Sequence, residues 1–210
     1  MKIETLLVGK PKMMTFRDQN IESAIFKNRV NKPTMLTLYN LEGDLQADLT
    51  VHGGRDKALY AYSSESYVHW KKLRPQNSFE NGSMGENISV SHLFEDQIFL
   101  GDIFEIGTAI VQAVQPRFPC QKLGIKFNDM KILKEFIDLD RPGIYFRVLT
   151  EGLINEGDSL KLIGQEKTKI SISEMFRLAL DKKPQIDRLR ELLQITCLPD
   201  NWKKDLQKLI

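Results

Sequence analysis

Gln115-Pro116-Arg117-Phe118-Pro119-Cys120-Gln121-Lys122-Leu123 sets one of the chain's two cysteines between two cations and directly behind a proline. The thiolate is the reactive form of cysteine, as nucleophile and as metal ligand, and neighbouring Arg117 and Lys122 favour the charged sulfur. Pro116 and Pro119 exclude a helix through this stretch and stiffen it. A soft, charged, rigidly aimed sulfur suits a metal or an electrophile. A small buried hydrophobe at a strand-to-loop turn is the plain alternative, and the residues by themselves weigh the two equally.

A second segment, Asp48-Leu49-Thr50-Val51-His52-Gly53-Gly54-Arg55-Asp56-Lys57-Ala58, pairs two glycines with two cations. Gly53 and Gly54 permit positive φ, so that consecutive N–H groups can form an anion-binding nest, and Arg55 and Lys57 add cationic donors. A plain turn with solvated charges explains the same residues more cheaply. His52 is a candidate proton donor, although a structural histidine is more common. In Gly82-Ser83-Met84-Gly85-Glu86-Asn87-Ile88 the Glu86-Asn87 pair suggests a loop whose polar side chains face something, or a hairpin turn capped by Asn87. His69 and His92 have no spacing partners. CxxC, HExxH, P-loop and GxSxG signatures are all missing, which removes the standard zinc, nucleotide and hydrolase readings.

These segments need a scaffold, and the pattern supplies one. Short apolar, β-branched and aromatic runs alternate with Gly, Asn and Asp turns from residue 1 to about 164. Strands are predicted at Ile3–Val8, Thr34–Tyr39, Gln97–Leu100, Ile103–Ile106, Ala109–Val114, Gly143–Leu149 and Ser159–Ile163, as in a barrel or sandwich. Two helices interrupt them. One runs from a capping Ser64 to Leu73; the other, Met130–Leu139, aligns Ile132, Leu133, Phe136 and Ile137 on one face. After the polar linker Gln165–Lys169 come three short helices: Glu174–Leu180 capped by Ser173, Ile186–Ile195, and Trp202–Ile210 capped by Asp200. Three such helices cannot hold a core alone. The expected organisation is therefore a mainly β domain over 1–164 and a helical unit over 168–210. That unit packs on the β domain or on a second subunit, which would make a homodimer.

Among 210 residues, 30 Lys and Arg face 28 Asp and Glu, a net charge of +2 that is too small to argue for nucleic acid, and with no basic run beside it no nucleic-acid partner is expected. No apolar run is long enough to cross a bilayer and no secretory h-region opens the chain, so a cytoplasmic protein without a membrane partner is expected. Cys120 and Cys197 are too few for a disulfide framework.

Taken together, Gly43–Asp48, His52–Tyr60, Gly85–Ile88, Gly101-Asp102 and Gln115–Cys120 stand in the order and rough spacing of the MOSC family, the molybdenum cofactor sulfurase C-terminal domain. The chain most resembles the bacterial YiiM-like branch, in which a small three-helix (3-alpha) domain follows the β domain. Met84 departs from the pattern, standing where an aromatic is expected. The resemblance implies a β-barrel-like MOSC domain that binds molybdenum cofactor (molybdopterin), with Cys120 as the protein ligand to molybdenum. It makes Arg117, Gly53, Gly54, Arg55, Lys57, Glu86, Asn87 and Lys122 candidates for the cofactor's phosphate and pterin. Asp48 and His52 become candidates for catalysis or for holding the loops around it. It also implies an oxidoreductase that reduces small N-hydroxylated compounds, such as hydroxylaminopurine bases, to amines. Electrons would come from a separate reductase, since one spare cysteine cannot ligate a cluster. The alternatives are a carrier of the cofactor, or of sulfur as a Cys120 persulfide, without turnover. Pyridoxal phosphate ranks last, for want of a Schiff-base lysine in a supportive context.

Overall fold

The structure, a computed structural model, describes residues 1–17, 19–45 and 53–210. Asp48 and His52 lie outside the described residues. In chain order the elements are β1 Lys2–Val8, β2 Lys12–Phe16, β3 Gln19–Ser23, β4 Asn28–Arg29, β5 Thr34–Leu36, a 3-10 turn at Arg55–Lys57, β6 Leu59–Ser63, α1 Ser66–Leu73, β7 Ile88–Ser91, β8 Ile103–Ile106 and β9 Ala109–Pro116. There follow α2 Gln121–Lys126, α3 Lys131–Leu139, β10 Ile144–Thr150, β11 Gly152–Ile154, β12 Leu160–Gly164, α4 Ile172–Leu180, α5 Ile186–Leu193 and α6 Asp200–Gln207.

Eight strands form one sheet in the order β12-β8-β9-β10-β6-β7-β1-β4, antiparallel except for the parallel β6–β7 pair. The sheet curls until its ends approach. Lys2 bridges Ser159, and the Leu160 N–H donates to the Met1 carbonyl at 3.1 Å. The result is barrel-like, mainly β with α, as expected. Its inside is filled by alternating apolar residues such as Leu6, Leu59, Val90, Phe104, Val111 and Phe146. The apolar faces of the C-terminal helices, with Met175, Leu189, Leu192 and Leu206, join that same core. A second, aromatic-rich cluster lies under α1 and α3. There Trp70 donates to the Tyr62 hydroxyl at 2.7 Å and Phe136 stacks on Tyr62.

Several local expectations move. Residues 97–100 form no strand; only Phe99 bridges Ser171. The 34–39 strand stops at Leu36, where a turn begins. Helix α1 starts at Ser66, because the Ser64 and Glu65 carbonyls accept the first N–H groups and the Ser64 hydroxyl does not cap. Ser171, not Ser173, caps α4 by accepting from the Glu174 N–H at 3.1 Å. Pro199 occupies the cap position of α6, so Asp200 falls in its first turn. The hairpin β2–β3 and helix α2, which starts directly after Cys120, were not anticipated.

Candidate functional site

Strands β9, β10 and β6 place Gln115, Tyr145 and Tyr60 in one row, each opposite the next. Asn87, just ahead of β7, continues the row. Its N–H donates to the Tyr60 carbonyl at 2.8 Å, and its Oδ1 accepts the Tyr60 N–H at 3.1 Å. Over this row opens a cleft of about 690 Å3 of atom-free space, counted to its mouth. Lys27, Asp44, Lys57, Tyr60, Arg117 and Cys120 line it, with Asn87, Lys122 and Tyr145. Residues that lie far apart in sequence thus meet on one floor. The site needs the sheet because no short stretch of chain carries it.

Cys120 is half-buried at the end of the β9 extension, in extended conformation before α2. Arg117 is 7% exposed, and its guanidinium lies 4.9 Å from the Tyr60 ring and 5.7 Å from the Phe136 ring. It donates to the Met84 carbonyl and, at 3.4 Å, to the Tyr60 hydroxyl. The Tyr60 hydroxyl spends its own proton on the Pro142 carbonyl at 2.9 Å. Clamped in this way, Arg117 presents a fixed positive charge under the cleft. Burial lowers the Lys57 pKa, while Asp56 and a negative Cys120 sulfur work the other way. Lys57 and Cys120 therefore sense each other's charge. Burial raises the pKa of Tyr60 and of Tyr145, which keeps both phenols neutral.

Asp44, also on the cleft, is 4% exposed. Its Oδ1 accepts from the Lys27 ammonium at 2.5 Å and from the Gly9 N–H at 2.6 Å, and its Oδ2 accepts from the Asn87 amide at 2.9 Å. Gly85 lets the loop pass close: its φ is +82°, and a Cβ there would meet Ile25 Cγ1 at 2.8 Å.

The predicted set divides. Cys120, Arg117, Lys57, Lys122 and Asn87 come together on the cleft. Glu86 is fully buried and faces away from it: one carboxylate oxygen accepts from the Tyr67 hydroxyl (2.6 Å), the Gly82 N–H (2.6 Å) and the Ser89 hydroxyl (2.7 Å). Gly53, Gly54 and Arg55 are not among the lining residues. Gly54, at φ +91°, starts the turn that delivers Lys57, and Arg55 is exposed. Lys27 and Tyr145 line the cleft without having been singled out in the sequence. Lys27 gave no signal, being one lysine of a mixed loop.

A family model, the MOSC domain, matches residues 48–161, more than half of the chain. The chain belongs to the MOSC family. The uncharacterized protein YflK of Bacillus subtilis is 34% identical over 97% of this chain and 92% of its own length. Protein YiiM of Escherichia coli is 32% identical over 99% of this chain and 88% of its own. The crystal structure of YiiM from Geobacillus stearothermophilus superposes with a TM-score of 0.84 at 32% identity, covering 100% of this chain and 99% of that one. A protein of Gibberella moniliformis named reductase is 29% identical over 83% of this chain, which spans only 32% of that relative. This MOSC chain is of the YiiM-like kind throughout its length, helical tail included. Among the described residues no helix is long and apolar enough to cross a membrane.

Proposed function

We propose that this MOSC protein is a molybdenum-cofactor oxidoreductase that reduces small N-hydroxylated compounds to amines. The reading rests on one observation above the others: the single cysteine on the cleft shares it with Lys57, Arg117 and Lys122. That donor set fits the cofactor with which MOSC domains are associated. A thiolate suits a soft metal centre, a guanidinium and ammonium groups suit a phosphate, and Asn87 with two neutral tyrosines suits a polar heterocycle.

In this reading Cys120 is the protein's ligand to molybdenum, and Arg117, Lys57 and Lys122 hold the cofactor's anionic groups. Asn87 and the Lys27–Asp44 pair keep the facing wall in place. Bound there, the cofactor would supply the two-electron redox chemistry that the reduction needs. The overall change, an N-hydroxylamine plus two electrons and two protons giving an amine and water, is balanced. The chain's own part is to orient the substrate over Tyr60 and Tyr145, to exclude water there, and to hold protons. Lys57 is suited to that last task because burial makes its ammonium a readier donor. His52 and Asp48 belong to the proposal as further proton carriers.

Electrons come from a separate reductase. The fungal relative named reductase supports this, because about two thirds of its length lies outside the matched region and has room for a further module.

The test is metal analysis on protein expressed with molybdate, beside Cys120→Ser, with turnover of hydroxylaminopurine under an artificial donor. Near-stoichiometric molybdenum and turnover, both lost in Cys120→Ser, are expected. Molybdenum without turnover would point to a carrier. Full molybdenum content in Cys120→Ser would overturn the ligand assignment.

A further inference from the structure

The C-terminal helices reach the cleft without lining it. Trp202 of α6 donates its indole N–H to the Gln115 side-chain oxygen at 2.7 Å. Gln115 is 3% exposed, and its Nε2 donates to the Asp56 carbonyl at 2.8 Å. Asp56 directly precedes Lys57, so the carbonyl that is held belongs to the peptide bond leading into the cleft lysine. Oxygen toward the indole and nitrogen toward the carbonyl is the one orientation of the Gln115 amide that satisfies both partners. The Asp56 carboxylate accepts from Arg147 of β10 at 2.5 Å, and that guanidinium donates to the Cys197 carbonyl at 3.2 Å, a second tie between this loop and the tail.

The cysteine loop is held by rings. Phe118, which lines the cleft just ahead of Pro119-Cys120, has its ring centroid 5.4 Å from that of Trp202 and 4.7 Å from that of Phe176 in α4. One side chain of the tail, Trp202, therefore touches both the holder of the lysine loop and the cysteine loop itself.

We propose that the helical tail is a positioning element for the cleft, and that Trp202, acting through Gln115 and Phe118, sets the Lys57 ammonium beside the Cys120 sulfur. Holding both loops before any ligand arrives removes the ordering cost from the binding step and keeps the charges aimed where an anion will sit. Neither Trp202 nor Gln115 lines the cleft; they act through Lys57 and Cys120. The inference rests on reading this cleft as the functional site, but its test needs no bound cofactor.

The full chain is made in a host unable to synthesise molybdenum cofactor. Cys120 is then alkylated at one fixed pH by neutral iodoacetamide and by anionic iodoacetate, with the rates read from the Cys120 peptide by mass spectrometry. The same sulfur reacts in both cases, so the ratio of the two rates cancels its intrinsic reactivity and reports the local positive potential. Lys57→Met gives the ratio without that charge. Trp202→Phe keeps a ring on Phe118 and removes only the N–H donor. It is expected to lower the iodoacetate-to-iodoacetamide ratio about twofold, towards the Lys57→Met value, as for a unit charge displaced by a few ångström in a well-screened site.

Gln115→Met, which cuts both hydrogen bonds without adding charge, is expected to do the same and carries the test if Trp202→Phe does not melt cooperatively. A folded variant with a lower melting temperature and an unchanged ratio would make the tail merely structural and overturn the proposal. A parent found without molybdenum when expressed with molybdate in a host that makes the cofactor would sink the cofactor reading and leave this ratio untouched.

Discussion

Replacing Asp44 by Asn tests how the cleft wall is held. Asp44 and Lys27 both have side chains only 6% exposed, and they meet at 2.5 Å. The same carboxylate accepts from the Gly9 N–H and the Asn87 amide, so three donors converge on it. Asn is nearly the same size, and its oxygen can keep either the Lys27 and Gly9 donors or the Asn87 donor, but not all three. Its amide must then face either the Asn87 amide or the Lys27 ammonium, donor against donor. Lys27 is left as a buried cation without its counter-charge. Breaking a buried pair by removing one partner costs about 3–5 kcal/mol. Because the pair sits on an open cleft, Lys27 can turn its ammonium towards water, which places the expected loss near the lower end, about 3 kcal/mol. For a chain of this size that is a fall in melting temperature of about 6–12 °C. Urea unfolding followed by circular dichroism measures it, with Lys27→Met/Asp44→Asn as the control that removes both charges. The double variant is expected to be more stable than Asp44→Asn alone. A loss under about 1 kcal/mol, the range of an exposed pair, with no gain in the double variant, would refute the reasoning.

Two further outcomes follow from buried titratable groups. Lys126 donates to the carbonyls of Ile25, Gly82 and Ser83, and burial lowers its pKa from 10.5 to about 8. Between those values the unfolded chain binds the proton and the folded chain does not, so this group makes stability rise with pH across that window. The stability of the parent relative to Lys126→Met should therefore grow between pH 8 and 10.5, by up to about 3 kcal/mol; denaturant titrations at each pH measure it, and a flat difference would contradict the assignment. Cys197 is 3% exposed, and burial pushes its thiol up to about 11, so alkylation at pH 7.5 should spare it and Cys197→Ser should leave turnover and metal content unchanged. Peptide mass spectrometry after iodoacetamide checks the first point.

What the sequence could reveal was what local chemistry writes down. The Arg117-Phe118-Pro119-Cys120 stretch declares itself because prolines and cations around a thiol are visible in one dimension. The strands Ile103–Ile106 and Ala109–Pro116 follow from β-branched runs between turns. Caps were harder, since Ser171 and Ser173 both qualify and only the path of the chain from Ile170 decides between them. Residues 97–100 read as a strand because they are apolar, yet their apolar groups serve the core under the tail rather than a ladder. The Lys27–Asp44 pair could not be read at all. Its partners meet because the cleft floor brings β1, the loop after β3 and the start of β7 together, and no spacing rule encodes that.

The charges on this floor have a consequence that the net charge of +2 hides. Lys27 and Asp44 neutralise one another at 2.5 Å, so neither is available to attract a ligand from solution. Among the described lining residues that leaves Lys57, Arg117 and Lys122 facing the one sulfur. Cations gathered on one cleft repel each other, and Asp56 offsets part of the Lys57 charge. A thiolate contributes one negative charge and a phosphate group about 1.5 to 2 more. Together they come close to cancelling the three, whereas a neutral ligand would leave the repulsion in place. The proposed occupant, a phosphate-bearing cofactor beside an ionised Cys120, would match that charge. The same balance also explains why Arg117 is packed against two aromatic faces: a cation that must stay in place before the anion arrives has to be held by something other than the anion.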